Sequence, residues 1–345
     1  MGEIVRPQES GQELAATLET SDIPVQPRSG VERVFLGSHG GLRAGWSVLV
    51  FAGIFGALLI VSAPFLAHFV HMDITGPLNP GVALVAEIWQ FALVLIATWL
   101  MSVFERKPLV FYGYQGRARA VRFVFGALWG FAAISAVVFT LSRMGYLMLD
   151  GRALSGEAIL RYGLLWGAVF LLTGFFEESL FRGYLQFTLT RGIGFWWGAL
   201  VFGLLFGVMH KANPGESPIG LFSAAAVGLV FCLSLWYTGS LWWAVGFHAA
   251  WDWGQSYFYG SADSGVLAQG HLLREHPVGP LLWSGGTTGP EGSMLIVPLL
   301  AVMALAMWLW WGRRMESPFA GAGWKPMRLR PSDRSSATNQ EPFNS

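Results

Sequence analysis

The chain has 345 residues, a formal net charge of +1 and charged side chains at only 12% of its positions, and its mean hydropathy is +0.48. Soluble domains carry roughly twice that charged fraction, so the composition excludes an ordinary soluble enzyme and indicates a membrane protein. The near-zero net charge gives no basis for binding nucleic acid. A single cysteine, Cys232, excludes an internal disulfide and a cysteine-rich metal site.

Apolar segments of the length that a membrane helix needs, roughly 17–25 residues, recur along the chain. They predict an all-α, polytopic membrane bundle of about eight transmembrane helices: Trp46–Val70, Val82–Phe104, Val121–Leu141, Tyr162–Phe187, Phe195–His210, Ile219–Tyr237, Leu241–Tyr257 and Met294–Trp311. Residues 1–40 and 315–345 are polar and contain no apolar core. They predict disordered tails on either side of a bundle at residues 41–314.

Arginine and lysine predict the orientation of the bundle, because cytoplasmic loops contain an excess of both. The loop between the second and third predicted helices reads ERKPLVFYGYQGRARAVR, and Arg313 and Arg314 follow the last one. The loop after the first predicted helix, HMDITGPLNPG, contains neither residue type. We therefore expect an integral protein of a bacterial cytoplasmic membrane with both termini in the cytoplasm. Arg143, Arg152 and Arg161 in the third loop count against this orientation, but less strongly.

The segment GFFEESLFRG places three charged residues inside the fourth predicted helix. Each such residue costs about 2.5–3.5 kcal/mol at the centre of a membrane helix, so the protein must compensate for it. Glu178 and Arg182 are four positions apart on one face and can form an ion pair. Glu177, turned about 100° away, has no partner nearby in sequence and is a candidate general base. The alternative is a buried salt bridge between helices, which leaves Glu177 unexplained.

Two further segments contain histidines at membrane depth. The fifth predicted helix ends in His210, and both it and Glu177 lie roughly 20–25 Å along their helices from the connecting turn, so we expect them to face each other. In HAAWD, His248 and Asp252 share a face, and Asp252 can accept a hydrogen bond that fixes the tautomer of His248. The alternatives are an interfacial histidine at position 210 and an internal polar contact in HAAWD.

The motifs EESLFR, FGVMH and HAAWD, in this order on successive predicted helices, resemble those of the intramembrane CAAX-protease and bacteriocin-processing (Abi) family, which includes the Rce1-like type II prenyl endopeptidases. The resemblance covers a core at about residues 160–256. It implies an endopeptidase that acts on a peptide or membrane-protein substrate, with or without a lipid anchor, inside the bilayer.

The resemblance also implies a role for each motif residue. Glu177 and His210 would activate a water, Glu178 and Arg182 would organise the site, and His248 and Asp252 would hold the oxyanion. Many relatives have asparagine where this chain has Asp252. An ionised aspartate repels an oxyanion, so we expect Asp252 to orient His248 instead.

The sequence leaves the cofactor open. Glu177, His210 and His248 can ligate a divalent metal such as zinc with one coordination position free. A metal-free glutamate mechanism requires no cofactor, and we favour it.

Two other functions remain as alternatives. The first is a non-catalytic immunity or scaffold protein of the same fold. The second is a proton-coupled transporter, which the absence of paired half-helices broken by Gly or Pro makes less favoured.

Overall fold

The computed structural model describes residues 29–37, 41–69, 76–116, 118–320 and 328–329. Most of both predicted tails lies outside these residues. The chain divides into two compact units, Met1–Leu42 and Arg43–Ser345. In the first unit, helix α1 (Gly30–Phe35) begins at Ser29, whose hydroxyl accepts from the Glu32 amide while the Glu32 carboxylate accepts from the Ser29 amide.

The second unit is an all-α bundle, as predicted. Its helices are α2 (Ala44–Phe69), α3 (Pro80–Phe104), α4 (Arg119–Met144), α5 (Glu157–Glu178), α6 (Gln186–Ile193), α7 (Phe195–Met209), α8 (Pro218–Thr238), α9 (Trp242–Asp252), α10 (Leu281–Ser284) and α11 (Ile296–Met307). Among the described residues, six helical segments are long and apolar enough to cross a membrane. The predicted count of eight is not confirmed, because α9 and α11 are shorter and continue as the π-helical turns Trp253–Tyr259 and Trp308–Gly312.

Local sequence signals fix several helix ends. The Asn79 side chain accepts hydrogen bonds from the first turn of α3, with Pro80 at the first helical position. Ser217 caps α8 in the same way, before Pro218. The α4 helix ends at Gly145, which adopts a left-handed conformation that glycine tolerates.

The fourth predicted helix differs most from expectation. The helical run Glu157–Ile193 has 37 residues, and a straight helix of that length would measure about 55 Å against a bilayer core of about 30 Å. The run is interrupted by a π-helical turn, Ser179–Leu185, in which Gly183 has the non-helical angles φ −81° and ψ −116°. The chain therefore changes course just after Arg182, and the helical run extends beyond the predicted span Tyr162–Phe187 at both ends.

Glycines allow α9 to pack closely against two helices. A Cβ at Gly126 or Gly130 of α4 would lie 2.1 or 2.2 Å from a carbonyl oxygen of α9, and one at Gly246 of α9 would lie 2.1 Å from a carbonyl oxygen of α4. On the other side, a Cβ at Gly174 of α5 would lie 3.1 Å from the carbonyl oxygen of Val245. Small residues give membrane helices this close approach, and here they fix the helix that bears His248 and Asp252.

The long loop between α9 and α11 is tied to other parts of the bundle. Strand β2 (Leu273–Pro277) pairs antiparallel with β1 (Leu147–Arg152), with a register shift between Leu149 and Gly151. The Leu78 amide donates to the Leu267 carbonyl at 2.8 Å, and the Gln269 amide donates to the Leu78 carbonyl at 3.0 Å. These bonds hold residues 261–269 beside the start of α3.

Packing continues into the predicted C-terminal tail. Strand β3 (Met315–Glu316) pairs with β4 (Arg328–Leu329). Phe319 is buried, with its ring centroid 4.7 Å from that of Phe195. Phe319 thus packs on the bundle, while the disordered tails and the domain boundaries stay predictions.

Candidate active site

A cavity of about 250 Å³ brings together acidic and imidazole side chains from four helical segments and the long loop. Four of the six predicted site residues line it: Glu177, His210, His248 and Asp252. The predicted convergence of Glu177 and His210 is therefore confirmed as a placement, whereas the chemical roles of all six residues stay predictions. Glu178 and Arg182 do not line the cavity; Glu178 contacts His248, and Arg182 contacts Glu178.

His248 lies at the centre of this arrangement. Its Nδ1 is 3.2 Å from Glu178 Oε1, within hydrogen-bond distance. Its Nε2 is 3.5 Å from Glu177 Oε2 and 3.5 Å from Asp252 Oδ2. The hydrogen bond of Nδ1 goes to Glu178, while Asp252 lies beside Nε2, so the expectation that Asp252 orients the ring stays a prediction. Sharing one helical face brought Asp252 near the ring, but the ring turns toward α5.

The ion pair predicted between Glu178 and Arg182 is confirmed. Nη1 of Arg182 is 3.0 Å from Glu178 Oε1, and both side chains are fully buried. The guanidinium lies over the Phe206 ring, 4.4 Å from its centroid, as expected for a cation–π contact. A Cβ at Gly228 of α8 would lie 2.3 Å from Nη2, so this glycine makes room for the guanidinium.

One carboxylate oxygen of Glu177 accepts no hydrogen bond. Its Oε2 is buried and has no hydrogen-bond partner, although the side chain as a whole is 21% exposed. Buried carboxylate oxygens are normally satisfied, and an exception calls for a specific explanation. A water or substrate group in the cavity would supply the missing hydrogen bond.

His210 follows α7 on a 3₁₀ turn, His210–Ala212, and packs edge-on to Phe206 with ring centroids 4.6 Å apart. Its Nδ1 lies 2.8 Å from the Phe206 carbonyl oxygen. A carbonyl oxygen can only accept, so Nδ1 is the donor and carries the hydrogen. In the neutral ring, Nε2 therefore keeps its lone pair and can accept a hydrogen from water.

Three acidic residues that sequence reasoning missed also line the cavity: Glu87, Asp263 and Glu291. Glu87 is the one ionisable residue in the predicted span Val82–Phe104, and an ionisable residue at membrane depth is a functional candidate by default. That signal was present in the sequence. Asp263 and Glu291 belong to the long loop, where no local pattern marked them. Oε2 of Glu87 is buried and has no hydrogen-bond partner.

The two loop acids are held by serines. Ser256 donates to Asp263 Oδ2 at 2.9 Å, and both the amide and the hydroxyl of Ser264 donate to Glu291 Oε1. Burial, together with repulsion from Asp263 and Glu216, raises the pKa of Glu291 to about 8. Burial likewise raises the pKa of Asp263 above its ordinary value.

The raised pKa of Glu291 gives a testable pH dependence. Its folded-state pKa of about 8 exceeds the ordinary value of 4.5, so its contribution to stability is full below about pH 4.5 and is lost as the pH rises through 8. We expect Glu291→Gln to gain about 2–4 °C in melting temperature relative to wild type between pH 5 and pH 8, with no further gain above. Thermal unfolding across this range measures it. Glu157→Gln, which changes an exposed side chain of α5, should show no such trend. If the melting temperatures of Glu291→Gln and wild type changed in parallel with pH, the raised pKa of Glu291 would be contradicted.

The residues named as possible zinc ligands do not fit a metal site as they stand. Within the described residues, no group of three or more His, Cys, Asp or Glu side chains is arranged to hold a metal ion. Nδ1 of His248 already contacts the Glu178 carboxylate, and a nitrogen that donates a hydrogen cannot also bind a metal. Cleavage measured with and without a chelator tests whether activity requires a metal.

The part of the chain that carries the six predicted site residues matches a known protein family. Residues 159–254 match the Rce1-like family model. That family is described as type II CAAX prenyl endopeptidase Rce1-like, so the resemblance drawn from the three motifs is confirmed for this segment. No curated protein matches the chain.

The Rce1-like segment contains all six predicted site residues, from Glu177 to Asp252. Together with the apolar helices, it identifies an integral membrane protein and supports, at family level, an intramembrane protease with a protein substrate in a membrane. Glu87, Asp263 and Glu291 lie outside the Rce1-like segment. The acidic lining of the cavity is therefore completed by flanking parts of the chain.

Proposed function

We propose that the chain is an intramembrane endopeptidase in which Glu177 is the general base. The observation that carries this proposal is the buried Oε2 of Glu177, which has no hydrogen-bond partner and belongs to a residue lining the same cavity as His210 and His248. A carboxylate oxygen that accepts no hydrogen bond, in a cavity with two imidazoles, is suited to activating water.

In the proposed reaction, a water in the cavity donates one hydrogen bond to Glu177 and the other to Nε2 of His210. Glu177 removes a proton as the water oxygen attacks the carbonyl carbon of the peptide bond. The carbon–nitrogen bond then breaks, and the proton held by Glu177 passes to the leaving amine. Glu177 returns to its ionised form, so one water is consumed and no other reactant is needed.

His248 supplies the hydrogen bond for the developing oxyanion in this scheme. Glu178, held by Arg182, fixes the ring through Nδ1. In the protonated ring, Nδ1 donates to Glu178, and the hydrogen on Nε2, which lies near Glu177 and Asp252, is donated to the oxyanion. Removing one such donor typically lowers the rate about 10²–10³-fold. Asp252, with Oδ2 3.5 Å from Nε2, helps to hold the ring in this position.

For the substrate we propose a membrane-anchored polypeptide, prenylated or not, since the family description names prenyl endopeptidases. For the location we propose a bacterial cytoplasmic membrane with both termini on the cytoplasmic side. The basic loop at residues 105–122 and the pair Arg313 and Arg314 support that orientation.

Comparing cleavage in cells and in vesicles tests the function. Mass spectrometry of membrane proteins should find new chain ends in cells that express the wild-type protein, and these ends should be absent with Glu177→Gln. Purified protein in lipid vesicles should then cleave such a substrate equally well with and without EDTA. Loss of activity in EDTA that zinc restores would contradict the metal-free mechanism, and absence of any new chain ends would contradict the peptidase.

A further inference from the structure

A second cavity lies between α4, α9 and the end of α11 and shares no lining residue with the candidate active site. Its volume is about 350 Å³, within the range of small-molecule sites. We call it the tryptophan groove, and it is lined chiefly by Trp129, Trp243, Met307, Trp310, Trp311 and Arg314.

The groove contains a buried donor without an acceptor. Trp243 is 1% exposed, and its indole N–H has no hydrogen-bond partner. Its ring is surrounded by other aromatic rings, including Trp129 at 6.4 Å and Trp311 at 6.1 Å between centroids. Buried donors in proteins are almost always satisfied, so an occupant with an acceptor oxygen would complete this site.

The charge at the groove is positive. Arg314 is exposed and lies over the Trp310 ring, 5.1 Å from its centroid. None of the side chains that line the groove is acidic, and the exposed Arg313 is its neighbour. A groove lined by one arginine and otherwise by apolar and aromatic side chains complements a negatively charged amphiphile.

The position of the groove fits the same ligand class. The groove lies where α11 continues as the π-helical turn Trp308–Gly312, at the end of the last apolar segment. Tryptophan concentrates at the level of lipid headgroups and ester groups. Basic pockets between membrane helices bind anionic headgroups.

We propose that the tryptophan groove binds an anionic phospholipid. Arg314 pairs with the lipid phosphate, the indole N–H of Trp243 donates to an ester carbonyl oxygen, and an acyl chain packs along Trp129 and Met307. No bond is made or broken, and the site is independent of the peptidase proposed above.

Native mass spectrometry of the purified full chain tests this site, with phosphatidylglycerol and phosphatidylcholine as probes. Wild type should retain phosphatidylglycerol in preference. Trp243→Phe keeps an aromatic ring but removes the N–H, and should weaken retention about five-fold, the effect of one neutral hydrogen bond. Arg314→Gln should weaken phosphatidylglycerol retention about five-fold and abolish the preference.

Two neighbouring residues provide matched controls. Trp308 and Arg313 are exposed and do not line the groove, so Trp308→Phe and Arg313→Gln should retain lipid as wild type does. Melting temperatures without lipid identify any variant that fails to fold. Equal retention by Trp243→Phe and wild type, or no preference between the two lipids, would overturn the proposal. Displacement of the lipid by glycerol phosphate at equal concentration would overturn it as well, because the site would then recognise phosphate alone.

Discussion

Glu177→Gln should lower peptide cleavage by about 10²–10⁴-fold, the usual contribution of a general base. The change replaces one carboxylate oxygen by an NH₂ group. The resulting amide has nearly the same shape but cannot take a proton from water. Glu177 Oε2 accepts no hydrogen bond within the protein, so the substitution breaks no hydrogen bond at that oxygen and weakens only its 3.5 Å contact with Nε2 of His248. Turnover of an identified substrate in vesicles measures the effect, and an unchanged melting temperature shows that the protein is intact.

Glu157→Gln is the matched control, since this exposed glutamate lies at the start of the same helix. It should leave turnover unchanged.

The variants Glu177→Gln and Glu157→Gln also separate the three functions considered for this chain. An immunity or scaffold protein keeps its phenotype in Glu177→Gln, and a proton-coupled transporter shows uptake in vesicles but no cleavage. Full cleavage by Glu177→Gln would remove Glu177 from the mechanism.

Arg182→Met should destabilise the protein by about 3–5 kcal/mol, the cost of leaving one charge of a buried pair without its partner. Glu178 would keep its carboxylate in a fully buried position, where Arg182 now contacts it at 3.0 Å. Unfolding measured in detergent tests this value. The control is Arg161→Met, because Arg161 is an exposed residue of α5, and exposed charges contribute about 1 kcal/mol or less.

The double variant Glu178→Gln with Arg182→Met distinguishes stability from catalysis. Removing both charges of a buried pair is often close to neutral, so most of the lost stability should return. Cleavage should stay low, because the carboxylate that contacts Nδ1 of His248 is gone. A double variant as unstable as Arg182→Met, or as active as wild type, would contradict this assignment.

The site was predictable where each motif determines its own local geometry. Residues four apart on one helix must share a face, so the pair Glu178–Arg182 followed from spacing alone. Counting residues from a short turn also placed Glu177 and His210 at one cavity. The hydrogen-bond partner of His248 was not predictable, because the ring direction depends on how closely α9 approaches α5. That approach rests on Gly174, a residue with no distinctive pattern in the sequence.

Other features depend on contacts between distant parts of the chain. The non-helical backbone at Gly183 interrupts a run that reads as one continuous helix, and strands β1 and β2 pair residues more than a hundred positions apart. Glu87 was recognisable as an acid within an apolar span, but its place in the cavity required the arrangement of α3 beside α5. The acids of the long loop had no signal at all.

The glycines that bring α9 against its neighbours have a consequence for how a polypeptide gains access to Glu177. The backbones of α4 and α5 contact that of α9 directly, so no side chains lie between them that could rearrange and let the helices slide. We therefore expect these three helices to keep their relative positions when the cavity opens. Widening of the cavity must then come from its other lining elements, which include α3, α7, α8, α11 and the loop at residues 261–269. The hydrogen bonds between Leu78 and that loop are the first that such a movement would break.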